Sequence, residues 1–200
     1  MKKLATLLFI FLFTTGCTVV RIDTGSIDNI INVVLSKDNT LYNRIGKGYK
    51  YYIPRGVSYI DTNSLNDKLY SNGVYYYLYI DAVSYFYKKE VSYEEKEDCY
   101  YSKKIEGDKE GYLEINQEED HYSIEFFYNY AKIEAKVKKK DIETVVLNAS
   151  YILSTIKFND NVIELMLNEE YFTNKEEKYD IFKKDETTTN DNFVQYNVEN

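Results

Sequence analysis

Apolar residues recur at two different spacings along this chain, and the change from one to the other divides it into elements. Ser26 stands before Ile27, Ile30, Ile31, Val34 and Leu35, with Asp28, Asn29 and Asn32 between them. A hydroxyl N-cap followed by apolar residues at i, i+3, i+4, i+7 and i+8 predicts an amphipathic helix of about three turns. From Tyr49 to Val137 the period becomes two. Tyr49 to Ile53 and Val57 to Ile60 flank Pro54-Arg55-Gly56 and read as a hairpin, with the single proline at a turn where its missing donor costs least. Ser71-Asn72-Gly73 marks another turn, and Val74 to Tyr87 reads as a long strand or a bent strand pair. Tyr112 to Asn116, Tyr122 to Tyr128 and Ala131 to Val137 complete a meander. In its last pair Tyr122, Ile124, Phe126 and Tyr128 share a face, while Ala131, Ile133, Ala135 and Val137 lie opposite Lys132, Glu134 and Lys136. Such alternation belongs to a sheet with one buried and one wet face.

Asp141 then caps a second, longer helix, whose stripe of Ile142, Val145, Val146, Ala149, Ile152, Leu153 and Ile156 covers four turns. A single-faced sheet needs such a stripe to cover it. The expected fold class is therefore α+β: an antiparallel meander covered by an N-terminal and a longer C-terminal amphipathic helix. Beyond Phe158 there is a short apolar cluster at Val162 to Leu167, and then a polar sequence with a low-complexity stretch from Asp185 to Asn192. One domain over 26–184 and a polar, flexible tail over 185–200 are expected. No internal repeat is apparent.

The first residues are of another kind. Met1-Lys2-Lys3 is a positive n-region and Leu4 to Phe13 an apolar run, followed directly by Thr14-Thr15-Gly16-Cys17. Ten residues fall short of the roughly twenty that span a bilayer, which makes this a signal peptide rather than a transmembrane helix. Thr14-Thr15-Gly16-Cys17 resembles the lipobox of bacterial lipoprotein precursors, in which a small residue precedes a cysteine that receives a diacylglyceryl thioether and becomes the mature N-terminus. Gly16 and Cys17 fit that pattern, while Thr14 stands where the family usually has Leu. The resemblance implies a signal peptide over 1–16, a tether over 17–25, lipid attachment at Cys17, and an extracytoplasmic protein anchored to the cell membrane. Two or three acyl chains hold such an anchor where one would bind only reversibly.

The order of the mature elements carries a second resemblance. A helix, the hairpin Gly48 to Ile60, a meander, and a closing helix running into Ser154-Thr-Ile-Lys-Phe158 look like the PsbP-type α/β/α sandwich over about 26–158. That family implies a non-enzymatic accessory or binding role at a membrane surface, and it transfers no site residue.

Composition narrows the classes. The chain has 33 Asp+Glu against 25 Lys+Arg, one His, two Cys, no Trp and a formal charge of −8. Losing Lys2 and Lys3 with the signal peptide makes it −10. Nucleic-acid binding, which needs a basic face, is excluded, as are a histidine metal cage and a disulfide scaffold; no metal or cofactor is expected. Acidic headgroups would repel the body, so the lipid alone holds it to the membrane. Once Cys17 is acylated Cys99 is the only thiol, and Asp98 beside it lowers no pKa, which favours an inert cysteine.

Candidate chemistry is sparse. Asp23-Thr24-Gly25 resembles the aspartic-protease D-T-G motif, but a single copy at the start of a helix reads as a tether ending in a cap. Glu118-Glu119-Asp120-His121 lacks the alternating oxygen ligands of a Ca²⁺ loop and reads as a solvated turn. Cys99 and His121 would have to meet to form a nucleophile and base, and nothing brings them together in sequence. The mixed run of Glu90, Glu94, Glu95, Glu97 and Asp98 with Lys88, Lys89 and Lys96 reads as a solvated loop. No catalytic residue is assigned. The 23 tyrosines remain, and an AT-rich coding sequence accounts for part of them. Tyr75, Tyr77 and Tyr79 alternate with core positions and form a strip on the second face of their strand. Covered, the strip is packing; open, it is a surface for a protein partner or a sugar. The expected function is a non-catalytic lipoprotein that binds a membrane-protein partner or assists an assembly. Capture of a glycan or small ligand on the tyrosine face is the second expectation.

Overall fold

The computed structural model describes residues 23–63 and 65–168. The expected signal peptide over 1–16, the expected lipid-attachment residue Cys17, the last part of the expected domain over 169–184 and the expected tail over 185–200 lie outside them. Helix α1 (Ile27–Leu35) is followed by β1 (Arg44–Ile45), β2 (Tyr49–Tyr51), β3 (Ser58–Asn63), β4 (Asn66–Ser71) and β5 (Val74–Ile80). Then come a short helix α2 (Ala82–Phe86), the meander β6 (Tyr101–Ile105), β7 (Gly111–Glu118), β8 (His121–Tyr128) and β9 (Ala131–Val137), and finally α3 (Ile142–Ser154), β10 (Lys157–Phe158) and α4 (Asp160–Asn168). Seven strands form one antiparallel sheet in the order β3-β4-β5-β9-β8-β7-β6, and β1-β2-β10 form a small second sheet. No helix among the described residues is long and apolar enough to cross a membrane.

The α+β class follows from the alternation. Leu69, Leu78, Ile133, Phe126 and Leu113 stand on the inner face of successive strands, all with no exposed surface. Helix α3 lies across β8 and β9 and presents Val145, Val146, Ala149, Ile152 and Leu153 to them. Helix α1 packs beside α3 and buries Ile30, Ile31 and Val34. Its Asp28 accepts from Tyr101 and pairs with Lys103 at 2.5 Å. Register places Lys103 in line with Leu113 and Phe126 on the inner face. Both long helices therefore cover the same side of the sheet.

Ser26 caps α1 as its position predicts, its Oγ accepting from Asn29 N at 3.3 Å. Asp141 occupies the N-cap of α3 but makes no side-chain capping bond, because a 3₁₀ turn over Lys139–Asp141 precedes the helix. A cap contributes about 1 kcal/mol and each buried Val, Leu or Ile about 1.5–3 kcal/mol, so packing holds α3 in place.

The structure also differs from the sequence reading in the pairing of its first strands and in where β5 ends. Tyr49–Tyr51 and Ser58–Asn63 are not a hairpin: β2 pairs with β1 and β10, whereas β3 pairs with β4. Pro54 to Gly56 does form a turn, with Val57 N donating to Pro54 O, but it carries the chain from one sheet to the other. The stretch Val74 to Tyr87 is a strand ending at Ile80 and then a helix. Pairing stops at Ile80 opposite Ala131, and Asp81 caps α2 by accepting from Ser84 N at 2.8 Å. After α2 the chain skirts the sheet's end, passing Asn129, Tyr130 and the β6–β7 turn, before reaching the far edge strand β6.

Candidate functional site

The second face of the large sheet carries the polar half of the alternation. Register aligns two rows of side chains across it. One row runs Tyr79, Lys132, Phe127, Tyr112 and Lys104, and the other Tyr77, Glu134, Glu125, Glu114 and Ser102, from β5 through β9, β8 and β7 to β6.

Three glutamates directly opposite one another on adjacent strands should repel. Each carries its own compensation. Lys132 Nζ stands 2.6 Å from Glu134 Oε1, at ion-pair distance but without hydrogen-bond alignment, and 3.7 Å from Glu125 Oε2. Tyr112 donates its hydroxyl to Glu125 Oε1 at 2.5 Å. Glu114 receives Lys96 at 2.7 Å, the Tyr93 hydroxyl at 2.9 Å and Asn116 at 2.8 Å. Burial acts against the Glu114 carboxylate, yet the bonds from Lys96, Asn116 and Tyr93 outweigh it and hold the group below the ordinary Glu range. Glu134 goes the other way. It is only 6% exposed, and its burial, reinforced by Glu125, prevails over Lys132 and raises its carboxyl above the ordinary value. Glu114 and Glu134, on either side of Glu125 in the row, thus have their proton affinities pushed in opposite directions.

The segment before β6 is docked onto this face. Tyr93 lies parallel to Tyr112 at 4.1 Å between ring centroids, and Tyr112 in turn stacks on Phe127 at 5.7 Å. Burial, together with Glu114, pushes the Tyr93 hydroxyl up to about 12. Glu95 accepts from the backbone N of Lys104 and Ser102 accepts from that of Lys96, so the charged run reads as a clamp along edge strand β6 as well as a solvated loop.

The predicted strip is graded in exposure. Tyr75 is 42% exposed, Tyr77 half-buried, and Tyr79 7% exposed. Lys68 places its ammonium 4.3 Å from the Tyr75 ring centroid and 5.6 Å from that of Tyr77, and Tyr70 packs against Tyr75 at 5.1 Å. Tyr79 borders a narrow cleft of about 240 Å³ with Asp81, Tyr112, Glu125, Phe127 and Lys132.

The other candidates are placed as follows. Asp23 accepts from Gly25 N at 3.0 Å, so the D-T-G stretch is the turn that leads into α1. Glu119 and Asp120 form the exposed two-residue turn between β7 and β8, beside Glu118 and His121. Among the described residues no group of three His, Cys, Asp or Glu is arranged to hold a metal ion. Cys99 lies near Glu114, and burial with the charges of Glu114 and Asp98 raises its thiol pKa. The charged groups that act on it are Glu114, Asp98 and Lys96, and His121 is not among them.

Sequence reasoning missed one buried polar cluster. Asp67, 2% exposed, accepts from Tyr51 at 2.6 Å, from Tyr49 at 3.2 Å and from Thr62. Tyr59 donates to Thr62 at 2.6 Å while Arg44 covers the Tyr59 ring at 3.6 Å. This cluster ties the small sheet to the large one. An aspartate at a core position of β4's alternation was its only signal.

Compared with known proteins, the chain matches no family model, no curated protein and no solved structure.

Proposed function

We propose that this is an extracytoplasmic lipoprotein, acylated at Cys17, that binds a membrane-protein partner through the outer face of its large sheet without catalysing a reaction. The observation that carries the docking half is the placement of both long helices on one side. The opposite side then presents Tyr70 and Tyr75 as a packed, exposed aromatic pair, with exposed Ile60 at the bulge of the neighbouring edge strand. Exposed aromatic clusters rimmed by charge are the usual anchors of protein interfaces. A lipid anchor confines the search to partners at the same membrane, which favours an integral membrane protein. The n-region, short apolar run, Gly16 and Cys17 support the anchor.

The glycan reading is less well supported. Sugars stack on free ring faces, and here Lys68 and Tyr70 already pack on Tyr75 while Tyr79 is buried. The order of helix, small strands, meander and closing helix supports the PsbP-like assignment, and the single-sided helix layer counts against its three-layer form.

Two experiments test the proposal. Cys17→Ser should release the protein from membranes or leave an unprocessed precursor; normal processing with unchanged membrane retention would refute the anchor. In-cell cross-linking of the tagged, anchored protein should enrich one membrane protein at constant ratio, and Tyr70→Ser with Tyr75→Ser should abolish that enrichment with little change in melting temperature. Enrichment no greater than that of an unrelated lipidated control would defeat the docking reading.

A further inference from the structure

A cleft of about 460 Å³ lies between the C-terminal end of α1 and the turn that joins β6 to β7, on the helix side of the large sheet. Half-buried Leu35 and Ile105 with buried Ile31 give it an apolar inner wall, and Tyr128 reaches it from β8 beside Ser154 at the end of α3. We infer that this cleft binds a free amino acid with an apolar side chain, the carboxylate received by Lys109 and Tyr128 and the ammonium by Asp38 and Asp108 at the rim. Its volume falls within the range of small-ligand pockets, about 300–1,000 Å³.

Two donors in the cleft lack a partner of their own. Tyr128 is only 6% exposed, and among the described residues its hydroxyl makes no hydrogen bond; the oxygen is not sealed in protein but opens on the cleft. A phenol hydroxyl held in this way costs free energy unless something from outside meets it. Lys109 is half-buried and forms no ion pair among the described residues. Burial draws its pKa down, Asp38 opposes that and Lys157 adds to it. None of the charges on its other side, Lys88, Lys89, Glu90 and Glu110, acts on it, which places its ammonium on the side of this cleft.

The rim decides the rest of the ligand. Asp38 is exposed and meets Lys157 only at 4.0 Å, and exposed Asp108 lies close enough to Tyr128 to help raise its hydroxyl pKa. Glu106 is engaged by Lys104 at 2.8 Å. A simple anion entering here would face Asp38 and Asp108, and a simple cation would face Lys109 and Lys37. A zwitterion gives each end its opposite charge, and its apolar side chain then covers Leu35 and Ile105. No exposed aromatic ring lines the cleft, which disfavours a sugar.

Calorimetric titration of the intact chain in detergent micelles with L-leucine, paired with NMR of the Tyr128 ring, tests this. Saturable heat and a saturable shift at Tyr128 are expected. Isocaproate, which lacks only the ammonium, and isopentylamine, which lacks only the carboxylate, should each bind at least tenfold more weakly, the worth of one charge-assisted hydrogen bond. Lys109→Gln and Tyr128→Phe, each confirmed folded by its melting curve, should each weaken leucine binding about tenfold; Tyr128→Phe removes only an unbonded hydroxyl and keeps the test available if Lys109→Gln does not fold. Absence of any saturable shift, isocaproate or isopentylamine matching leucine, or leucine affinity unchanged in either folded variant would each overturn the inference. The Tyr70–Tyr75 surface lies on the other face of the sheet, so Tyr70→Ser with Tyr75→Ser leaves leucine binding intact, and failure of this site and failure of partner docking are read separately.

Discussion

Glu134 shows how one buried carboxyl sets a pH response. Its folded-state pKa is raised by burial, with Lys132 offsetting only part of the effect. The native state therefore holds this proton more tightly than the unfolded chain does. Stability from this group is greatest below the unfolded value and falls as pH rises through the window up to the raised folded value. Glu134→Gln keeps the shape and removes the ionisation. We expect the variant to gain stability relative to wild type at pH 7, with the difference shrinking toward pH 4, measured by denaturant melts across that range. Glu114 acts in the opposite sense, since its lowered pKa means its contribution is lost as pH falls. Glu114→Gln should accordingly cost stability at pH 7 and progressively less in acid. Alternation within β9 puts Glu134 on the wet face, and the turns carry more information. The two-residue turns Asn129-Tyr130 and Glu119-Asp120 fix both hairpin registers and so place Glu114, Glu125 and Glu134 in one row.

At the scale of elements, the meander depends on a close approach at the start of β7. A Cβ on Gly111 would stand 2.1 Å from Phe127 O and 2.8 Å from Tyr128 Cα, both backbone atoms of β8. Neither can move without breaking the register that aligns Tyr112 with Phe127. Gly111→Ala should therefore destabilise by about 3 kcal/mol, at the upper end of overpacking costs, and lower the denaturant midpoint accordingly. The segment before β6 is another element held by specific groups. Tyr93→Leu removes the hydroxyl bonds to Ser102 and Glu114 along with the stack on Tyr112. The amide of Lys104, which donates to Glu95, should then exchange with solvent faster in hydrogen-exchange measurements while α3 amides stay protected. Alternation identified β7, β8 and β9, and the helical stripes identified α1 and α3. It also found β2 as a strand but gave it the wrong partner, since a turn at Pro54 does not say whether the strands on either side of it pair; and it missed the helix Ala82–Phe86, where apolar residues follow one another too densely for either period to stand out.

For the molecule as a whole, the small sheet shares one core with the large sheet and is tied by polar groups both to it and to the end of α3. Asp67 receives both tyrosine hydroxyls of β2, and Thr155 Oγ1, beyond α3, accepts from Tyr52 N at 3.0 Å. Asp67→Ala leaves two buried hydroxyls and Thr62 without their acceptor, at an expected cost of about 2–4 kcal/mol. Amides of β2 and β10 should lose protection before those of the seven-stranded sheet, and simultaneous loss in all strands would show the two sheets to be a single unit. What the sequence determined by itself is local: the 3.6 and 2.0 periods, the Ser26 cap, the turn residues, and which face of each strand is apolar follow from backbone geometry within a few residues. Only the tertiary structure decided that β5 lies beside β9, that β2 leaves Pro54 for a sheet completed by β10, and that both helices share one face. Those pairings close loops of tens of residues, and their outcome depends on how every apolar face is buried at once. The buried Asp67 and the cleft between α1 and the β6–β7 turn exist only because of those long-range choices, so no window of sequence contains them.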